Sequence, residues 1–315
     1  MFSEFKEFDF ESSFSRLQNR VNTIQRLMNN AIGNACYEDP YTGKIINANT
    51  QGELFSDGLV AKTSLIRSQK LIYELHEFVK DEFINYGINP DLIFPPKNEA
   101  EPEVNISGRF KQKKQDVCIV PDDIDDKLEL IDWGILRYSG KETPYGAYKE
   151  ERILTVNLRS QLSSLAKNSD TLFERMIAEP LNLHLQYPKM ITGELYMIPV
   201  YEYEDSEMKK NKVKFKKKVT NLEKYISFFT ELNGYDSENI EKEPFKYNHA
   251  GLLIVDFNRE IPKIYTSTNE LKEDGLINKD YELELSRISP VDLPYKLLKE
   301  YKEFHDEDKI LKWRY

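Results

Sequence analysis

The chain has 315 residues, 40% of them hydrophobic, and it contains no run of 18 apolar residues, which argues against a membrane-spanning helix. Its formal net charge of −10 argues against a protein that simply coats nucleic acid, although basic side chains could still be concentrated in one groove. The acidic N-terminus lacks a secretion-signal pattern, and the spacing of Cys36 and Cys118 indicates neither a metal site nor a disulfide framework. These features predict a cytoplasmic protein without a membrane segment.

The N-terminal third is predicted to be helical. Apolar residues recur at three- and four-residue spacing over residues 10–34 and again over residues 59–86. Gly87 and Pro90 would end the second helix, and a connector rich in Pro and Glu follows. The chain therefore divides into a helical N-terminal region (1–95), an α/β core (96–205) and a mixed C-terminal region (206–315).

Two strands predicted at the start of the core each carry an aspartate. A basic stretch leads to Asp116, which precedes the apolar residues Val117–Val120. A carboxylate buried at that point needs a partner or a cation, and the alternative is that Asp116 lies just outside the sheet in water. The second strand, predicted over residues 128–138, carries Asp132.

The centre of the core is predicted to be a strand, a helix and a second strand. Alternating branched and polar residues predict a strand at Ile153–Leu158. An apolar face predicts a helix from about Asp170, and an apolar run predicts a second strand at Met190–Val200. A crossover of this kind places its two strands parallel in one sheet. Together with the flanking helices, it predicts an α/β (α+β) fold with a mixed central sheet.

Polar side chains are dense at the end of the first of these strands. Asn157, Arg159 and Gln161 lie there, and ligands of open α/β sheets bind outside the carboxyl ends of the strands. Helix capping accounts for Ser169 and Asp170, but it does not account for those three residues. The sequence therefore predicts a functional site at this strand end.

A lysine cluster follows the core. Seven of the ten residues 209–218 are lysines, and Lys210, Lys212 and Lys214 are among them. One interpretation is an exposed strand edge that lysines protect from aggregation. The other is contact with phosphate groups, which the acidity of the remaining chain favours.

Familiar nucleophile and metalloprotease motifs are absent from the sequence. It contains no GxSxG, P-loop, GxGxxG or HExxH, and its four histidines are scattered, which disfavours zinc chemistry. The remaining candidates are oxygen-bearing and basic side chains: Asp116, Asp132, Asn157, Glu174 or its rival Glu179, Arg159 and Lys167. Carboxylate and amide oxygens suit Mg²⁺, and a metal ion beside a cation can promote hydrolysis of a phosphodiester. This prediction requires Asp116, Asp132 and Glu174 to converge in the fold.

The order of these elements resembles the core of the PD-(D/E)XK nuclease superfamily. The segment VNLRSQLSSLAKNSDTLFERMIAEPLNLH, followed by GELYMIPVYEY, is similar to type II restriction endonucleases of bacteria. The resemblance covers residues 107–204. It implies a Mg²⁺-dependent enzyme that cleaves double-stranded DNA at specific sequences as a homodimer, with the C-terminal region completing the fold or contacting DNA.

The resemblance also implies roles for individual residues. Catalytic roles fall on Asp116, Arg159, Lys167 and Glu174; metal binding falls on Asp116, Asp132, Asn157 and Glu174; DNA binding falls on Gln161, Ser163 and Asn168. The lysine cluster, which lies outside the range of the resemblance, adds Lys210, Lys212 and Lys214 as DNA-binding candidates. Two positions depart from the family pattern, because Asn157 stands where an acid is usual and Arg159 where a lysine is usual. Arginine stays protonated and cannot easily act as a base. A non-catalytic DNA-binding or partner subunit with the same fold is therefore the alternative.

Overall fold

The computed structural model describes residues 6–240 and 242–305. The ends of the predicted N-terminal and C-terminal regions, residues 1–5 and 306–315, lie outside the described residues. The α-helices are α1 (Phe10–Asn34), α2 (Gly58–Arg67), α3 (Tyr73–Asn85), α4 (Ala147–Glu150), α5 (Leu165–His184), α6 (Asp205–Met208), α7 (Leu222–Leu232), α8 (Thr268–Glu273) and α9 (Leu293–Phe304). Short 3₁₀ helices lie at Pro90–Leu92, Leu136–Tyr138 and Leu285–Ile288.

The strands are β1 (Tyr37–Glu38), β2 (Ile45–Ile46), β3 (Ile93–Phe94), β4 (Val104–Ser107), β5 (Gln112–Gln115), β6 (Val117–Ile119), β7 (Glu129–Leu130), β8 (Glu142–Thr143), β9 (Leu154–Ser160), β10 (Thr192–Pro199), β11 (Tyr201–Tyr203), β12 (Phe215–Val219), β13 (His249–Asp256) and β14 (Lys263–Tyr265). Within the described residues, the largest sheet has six strands in the order β14-β13-β10-β9-β6-β3. Strands β9, β10 and β13 are parallel, whereas β3, β6 and β14 pair antiparallel with their neighbours. The predicted α/β fold with a mixed central sheet is confirmed, as is the parallel crossover from β9 through α5 to β10.

Helix α1 has the bounds that the sequence predicts. It begins where the Asp9 carboxylate accepts the N–H of Ser12 at 3.3 Å, and it ends at Ala35, whose φ of 48° is left-handed. Its buried stripe runs from Leu17 to Ile32 and belongs to the same apolar cluster as one face of the central sheet.

Residues 59–86 form two helices, so the prediction of a single helix is wrong. Helix α2 ends at Arg67, and Gln69 then takes a φ of 62°, which a right-handed helix cannot contain. Helix α3 begins at Tyr73, and the predicted core residues Leu65 and Phe78 are nevertheless buried. The break between the helices forms part of the wall of a cavity.

The prediction of a strand over residues 128–138 is also wrong. Only Glu129–Leu130 is extended, and it pairs with β8 in a two-stranded ribbon outside the central sheet. Gly134 then turns the chain with a φ of 53°, at a point where an added Cβ would collide with the carbonyl oxygen of Arg109. Asp132 is consequently exposed beside a turn.

Helix α5 begins at Leu165, five residues earlier than predicted. Ser164 precedes it with a left-handed φ of 56°, and the Leu165 N–H donates to the Glu202 carboxylate at 3.1 Å. Glu202 lies on β11, so a side chain distant in sequence satisfies a free N–H group of the first helical turn. Local sequence signals could not reveal this start.

The central sheet has different partners on its two faces. Val156 and Leu158 of β9 belong to the apolar cluster that contains α1, α3 and α9. Tyr196 and Ile198 of β10 belong to a second cluster with α5 and α7. Because strand residues alternate between faces, Asn157 and Arg159 point toward the α5 side. Among residues 6–240 and 242–305, no helix combines the length and the apolar character needed to cross a membrane.

Candidate functional site

A cavity of about 530 Å³ lies at the carboxyl end of β9. One wall is the connection between α2 and α3, and the opposite wall is the first half of α5. The polar side chains in its lining are Gln69, Tyr73, His76, Glu103, Asp116, Arg159, Ser160, Gln161, Asn168, Thr171, Arg175 and Tyr196. This position matches the site predicted from the strand end.

Asp116 is held against the backbone of β9. Its Oδ2 accepts the Leu158 N–H at 2.8 Å, and the register of β6 with β9, in which Val117 faces Val156, places Asp116 opposite Asn157. Asp116 is half-buried and lines the cavity. The structure therefore brings Asp116, Asn157 and Arg159 to one place, as the sequence predicts.

Arg159 is the centre of an ion-pair network on the α5 side of the sheet. Its Nη1 lies 2.7 Å from the Glu194 carboxylate of β10, and its Nη2 pairs with Glu179 of α5. Lys113 of β5 pairs with the same Glu179 carboxylate. Four elements thus contribute charges to one network.

The pKa shifts in this network follow from burial and from neighbouring charges. Burial raises the pKa of Glu194, and the nearby Arg159 and Lys113 only partly offset it. Burial also lowers the pKa of Lys113, as does the positive charge of Arg159. Burial opposes the charge of Arg159, but Glu194 and its other partners raise the pKa of Arg159 above its usual value, so this residue remains a cation.

Beside this network lie buried polar atoms without partners. Within the described residues, Oδ1 and Nδ2 of Asn157 and Oε1 of Glu194 make no hydrogen bond of standard geometry, although both residues are fully buried, and the Tyr247 hydroxyl interacts with the Glu194 carboxylate beside them. The two residues are direct neighbours in the register of β9 with β10. Leaving such atoms unpaired costs about 1–3 kcal/mol each, and a bound ion or water would relieve that cost.

These orphaned oxygens bear on the predicted Mg²⁺. The described residues contain no group of three or more His, Cys, Asp or Glu side chains arranged to hold a metal. Mg²⁺, however, commonly uses one or two carboxylates and takes its other ligands from water and substrate phosphates. Asp116, Asn157 Oδ1 and Glu194 are oxygen donors of that kind; Asp116 lines the cavity, whereas Asn157 and Glu194 are fully buried next to it.

Four predicted catalytic or metal-binding residues lie outside the cavity lining, and one of them, Asn157, is fully buried. Asp132, Lys167 and Glu174 are exposed, and the predicted convergence of Asp116, Asp132 and Glu174 is not present. Glu174 is on α5, but the cavity is lined by other residues of that helix, including Asn168 and Arg175. Helical spacing turns Glu174 away from them.

Some of the predicted DNA-binding residues line the cavity and others do not. Gln161 and Asn168 line the cavity, whereas Ser163 is exposed outside its lining. Gln161 Oε1 accepts hydrogen bonds from the hydroxyls of Tyr196 at 2.9 Å and Tyr225 at 3.2 Å.

The predicted DNA-binding lysines lie apart from the cavity. Lys210 and Lys214 both pair with Glu207, at 2.7 and 3.1 Å, and Lys212 is exposed. The lining of the 530 Å³ cavity contains none of these three lysines.

Sequence reasoning missed Glu194 and Lys113. A signal for Glu194 was present, because it is the single charged residue of the apolar stretch Met190–Val200. A charge at a buried strand position is costly unless it is paired, so it marks a partner or a site. Lys113 gave no comparable signal, because it is one of several basic residues before Asp116.

The fold and the site together define an α/β protein with a charged cavity at the carboxyl end of a parallel strand. Searches against protein-family models, curated proteins and solved structures found no match for this chain. Any functional assignment therefore rests on the site itself and on the sequence resemblance.

Proposed function

We propose that this protein is a Mg²⁺-dependent endonuclease that hydrolyses phosphodiester bonds of double-stranded DNA at specific sequences, as type II restriction endonucleases do. The observation that carries the proposal is the position of Asp116. Its carboxylate is fixed by the Leu158 N–H at 2.8 Å, beside Asn157 and Arg159, and it faces a cavity open to a substrate. The site also lies where two antiparallel strands, a crossover helix and a parallel strand meet, which is the element order of the nuclease core that the sequence resembles.

Because Asp132 and Glu174 do not converge with Asp116, the metal site that the sequence predicts is given up, and the metal would instead be held by Asp116, Asn157 and Glu194. In this arrangement the acid that is missing at Asn157 is supplied by its neighbour in the register of β10. When bound, Mg²⁺ would supply a Lewis acid at the scissile phosphate.

The chain's own residues bind and orient the substrate phosphate. Arg159 offers a permanent positive charge, and Glu179 and Glu194 fix its guanidinium from two sides. A cation held in this way needs little reorganisation when negative charge develops on the phosphate. Arg175 lines the same cavity and adds a second cation.

Cleavage of both DNA strands calls for two copies of the site. A symmetric homodimer would present one site to each strand and would match a palindromic target. We therefore include a homodimer that acts on DNA in the cytoplasm in this proposal.

The test is cleavage of plasmids and mixed-sequence DNA with Mg²⁺ and with EDTA. We expect discrete fragments with Mg²⁺ and none with EDTA. Asp116→Asn and Glu194→Gln should lower the rate about 100-fold or more, because Lewis-acid stabilisation is worth several kcal/mol. Glu174→Gln, at an exposed acid of α5, is the matched control and should retain the wild-type rate.

Two results would contradict the site assignment. One is an Asp116→Asn variant that folds and still cleaves DNA at the wild-type rate. The other is a Glu174→Gln variant that is as inactive as Asp116→Asn, which would favour the residue set implied by the sequence resemblance.

A non-catalytic DNA-binding or partner subunit is the second candidate. It is favoured by the state of Arg159, whose guanidinium is already paired with two carboxylates, and by Asn157 in place of an acid. Retained DNA binding with no cleavage under any metal condition would support this candidate over the enzyme.

A further inference from the structure

A second cavity of about 450 Å³ lies on the other side of the first turn of α5. Three lysines contribute to its lining, Lys216 and Lys218 from β12 and Lys224 from α7. The remaining polar lining residues are Ser169, Glu202, Thr220, Asn221 and Tyr225.

The two cavities are close neighbours. Tyr225 lines the second cavity and donates its hydroxyl hydrogen to Gln161, which lines the first, at 3.2 Å. Leu165 lines the second cavity and Asn168 lines the first, so the first turn of α5 forms the partition between them. The backbone of a bound polymer such as DNA that passes the first cavity therefore needs to cross only one helical turn of the protein to reach the second cavity.

The charge of the second cavity is incompletely neutralised. Lys216 lies 3.1 Å from the Glu202 carboxylate, and Lys224 lies 2.8 Å from Asp170. Lys218 is exposed and makes no ion pair with any residue in the described ranges. The cavity thus presents one uncompensated cation and two more that could exchange a carboxylate for a phosphate.

The alternation of side chains along β12 places Lys216 and Lys218 on the cavity side and Lys217 on the other side. In β12, Lys216 and Lys218 share one face, and Lys217 lies between them on the opposite face, outside the cavity lining. Lys217 is also exposed and differs from Lys218 by one position. The sequence alone could not rank the seven lysines of residues 209–218, whereas the fold selects two of them.

The geometry points to a phosphate-binding wall formed by Lys216, Lys218 and Lys224, over which the backbone of duplex DNA leaves the catalytic cavity. This inference rests on the proposed function for its partner, DNA, and for the place where the strand is cut. Phosphate contacts position a duplex without reading its sequence, and lysine is suited to them as a point charge. Because the formal net charge is −10, contacts with phosphate groups are favoured where cations are clustered.

The test measures binding of a fluorescently labelled duplex of mixed sequence to the full chain, with Ca²⁺ in place of Mg²⁺. Affinity is recorded from about 50 to 200 mM salt, the range over which phosphate contacts strongly change the affinity. Lys218→Gln should reduce the slope of log K against log salt concentration by about 0.9, the value for one lost phosphate contact. Lys217→Gln, the matched control on the opposite face, should leave the slope at the wild-type value.

Three outcomes would overturn the inference. They are equal slope changes in both variants, no change in either variant, and failure of the wild-type protein to bind the duplex at the lowest salt concentration. Cleavage with Mg²⁺ is measured separately. A salt slope that depends on Lys218 without any cleavage would remove the enzyme but keep the wall. Cleavage together with a salt slope that Lys218→Gln leaves unchanged would remove the wall but keep the enzyme.

Discussion

His184 shows how the fold determines the chemistry of one side chain. Its Nδ1 lies 3.2 Å from the Pro244 carbonyl oxygen, and its Nε2 lies 3.2 Å from both the Met190 carbonyl oxygen and the Thr192 hydroxyl, which can donate to a neutral ring. The ring stacks on Tyr235 with a centroid distance of 3.9 Å. Burial lowers the pKa of His184 from 6.5 to about 4, although the two carbonyl oxygens work in the opposite direction. A neutral, fully packed imidazole of this kind is a structural residue.

This pKa gives a stability prediction with a definite sign. The unfolded chain takes up a proton at His184 near pH 6.5, and the folded chain takes it up only near pH 4. The stabilising contribution is therefore present above pH 6.5 and is lost as the pH falls from 6.5 toward 4. For His184 alone, the free energy of unfolding should fall by about 2 kcal/mol between pH 7 and pH 5.

Urea denaturation at the two pH values measures this loss. Other buried histidines contribute to the same window, so the comparison is with His184→Gln, which removes one titrating group. The variant should lose about 2 kcal/mol less than the wild type between the two pH values. Equal losses would show that His184 titrates normally in the folded protein.

At the scale of elements, α5 links the cavity to the ion-pair network. Glu179 is buried on the sheet-facing side of α5 and pairs with Lys113 and Arg159, whereas Glu174 on the same helix is exposed. Removing one member of a buried ion pair leaves the opposite charge uncompensated, which costs about 3–5 kcal/mol. The helix therefore stabilises the position of Arg159 through one acid and not through the other.

Glu179→Gln should lower the free energy of unfolding by about 3 kcal/mol at neutral pH, since Lys113 and Arg159 would then face each other without their shared acid. Glu174→Gln should change it by less than about 0.5 kcal/mol, as surface substitutions usually do. Chemical denaturation of both variants checks the difference. A Glu179→Gln variant as stable as Glu174→Gln would mean that solvent already screens the network.

At the scale of the whole molecule, one apolar cluster joins all three predicted regions. Leu17 of the N-terminal region, Leu158 of the α/β core and Leu297 of the C-terminal region are buried in it together. A shared core couples the unfolding of the regions that contribute to it. The boundaries at residues 95 and 205 remain a prediction that unfolding experiments can decide.

We expect one cooperative transition in urea, with the same midpoint by far-UV circular dichroism and by tryptophan fluorescence. Trp133 is buried in a third cluster of the core, and a Trp313→Phe background would make it the single tryptophan of the chain. Separate midpoints for the two probes would support independent folding of the predicted regions.

The sequence predicted those parts of the molecule that depend on local pattern. The bounds of α1 and the crossover from β9 to β10 follow from apolar periodicity, which is a property of neighbouring residues. The strand end that carries Asn157 and Arg159 followed in the same way, whereas the sequence left open whether Asp116 or Asp132 lies beside them. The single helix over residues 59–86 and the strand over residues 128–138 failed, because a left-handed Gln69 and the turn at Gly134 interrupt patterns that otherwise looked continuous.

The sequence by itself determined the fold class, the parallel crossover and the strand end at which the candidate site lies. Only the tertiary structure decided which acids meet there, because that depends on strand register and on the direction in which each side chain points. Register placed Glu194 beside Asn157, helical direction turned Glu179 inward and Glu174 outward, and strand alternation separated Lys218 from Lys217. Contacts between residues far apart in the chain are set by packing of the whole sheet, and no local pattern encodes them.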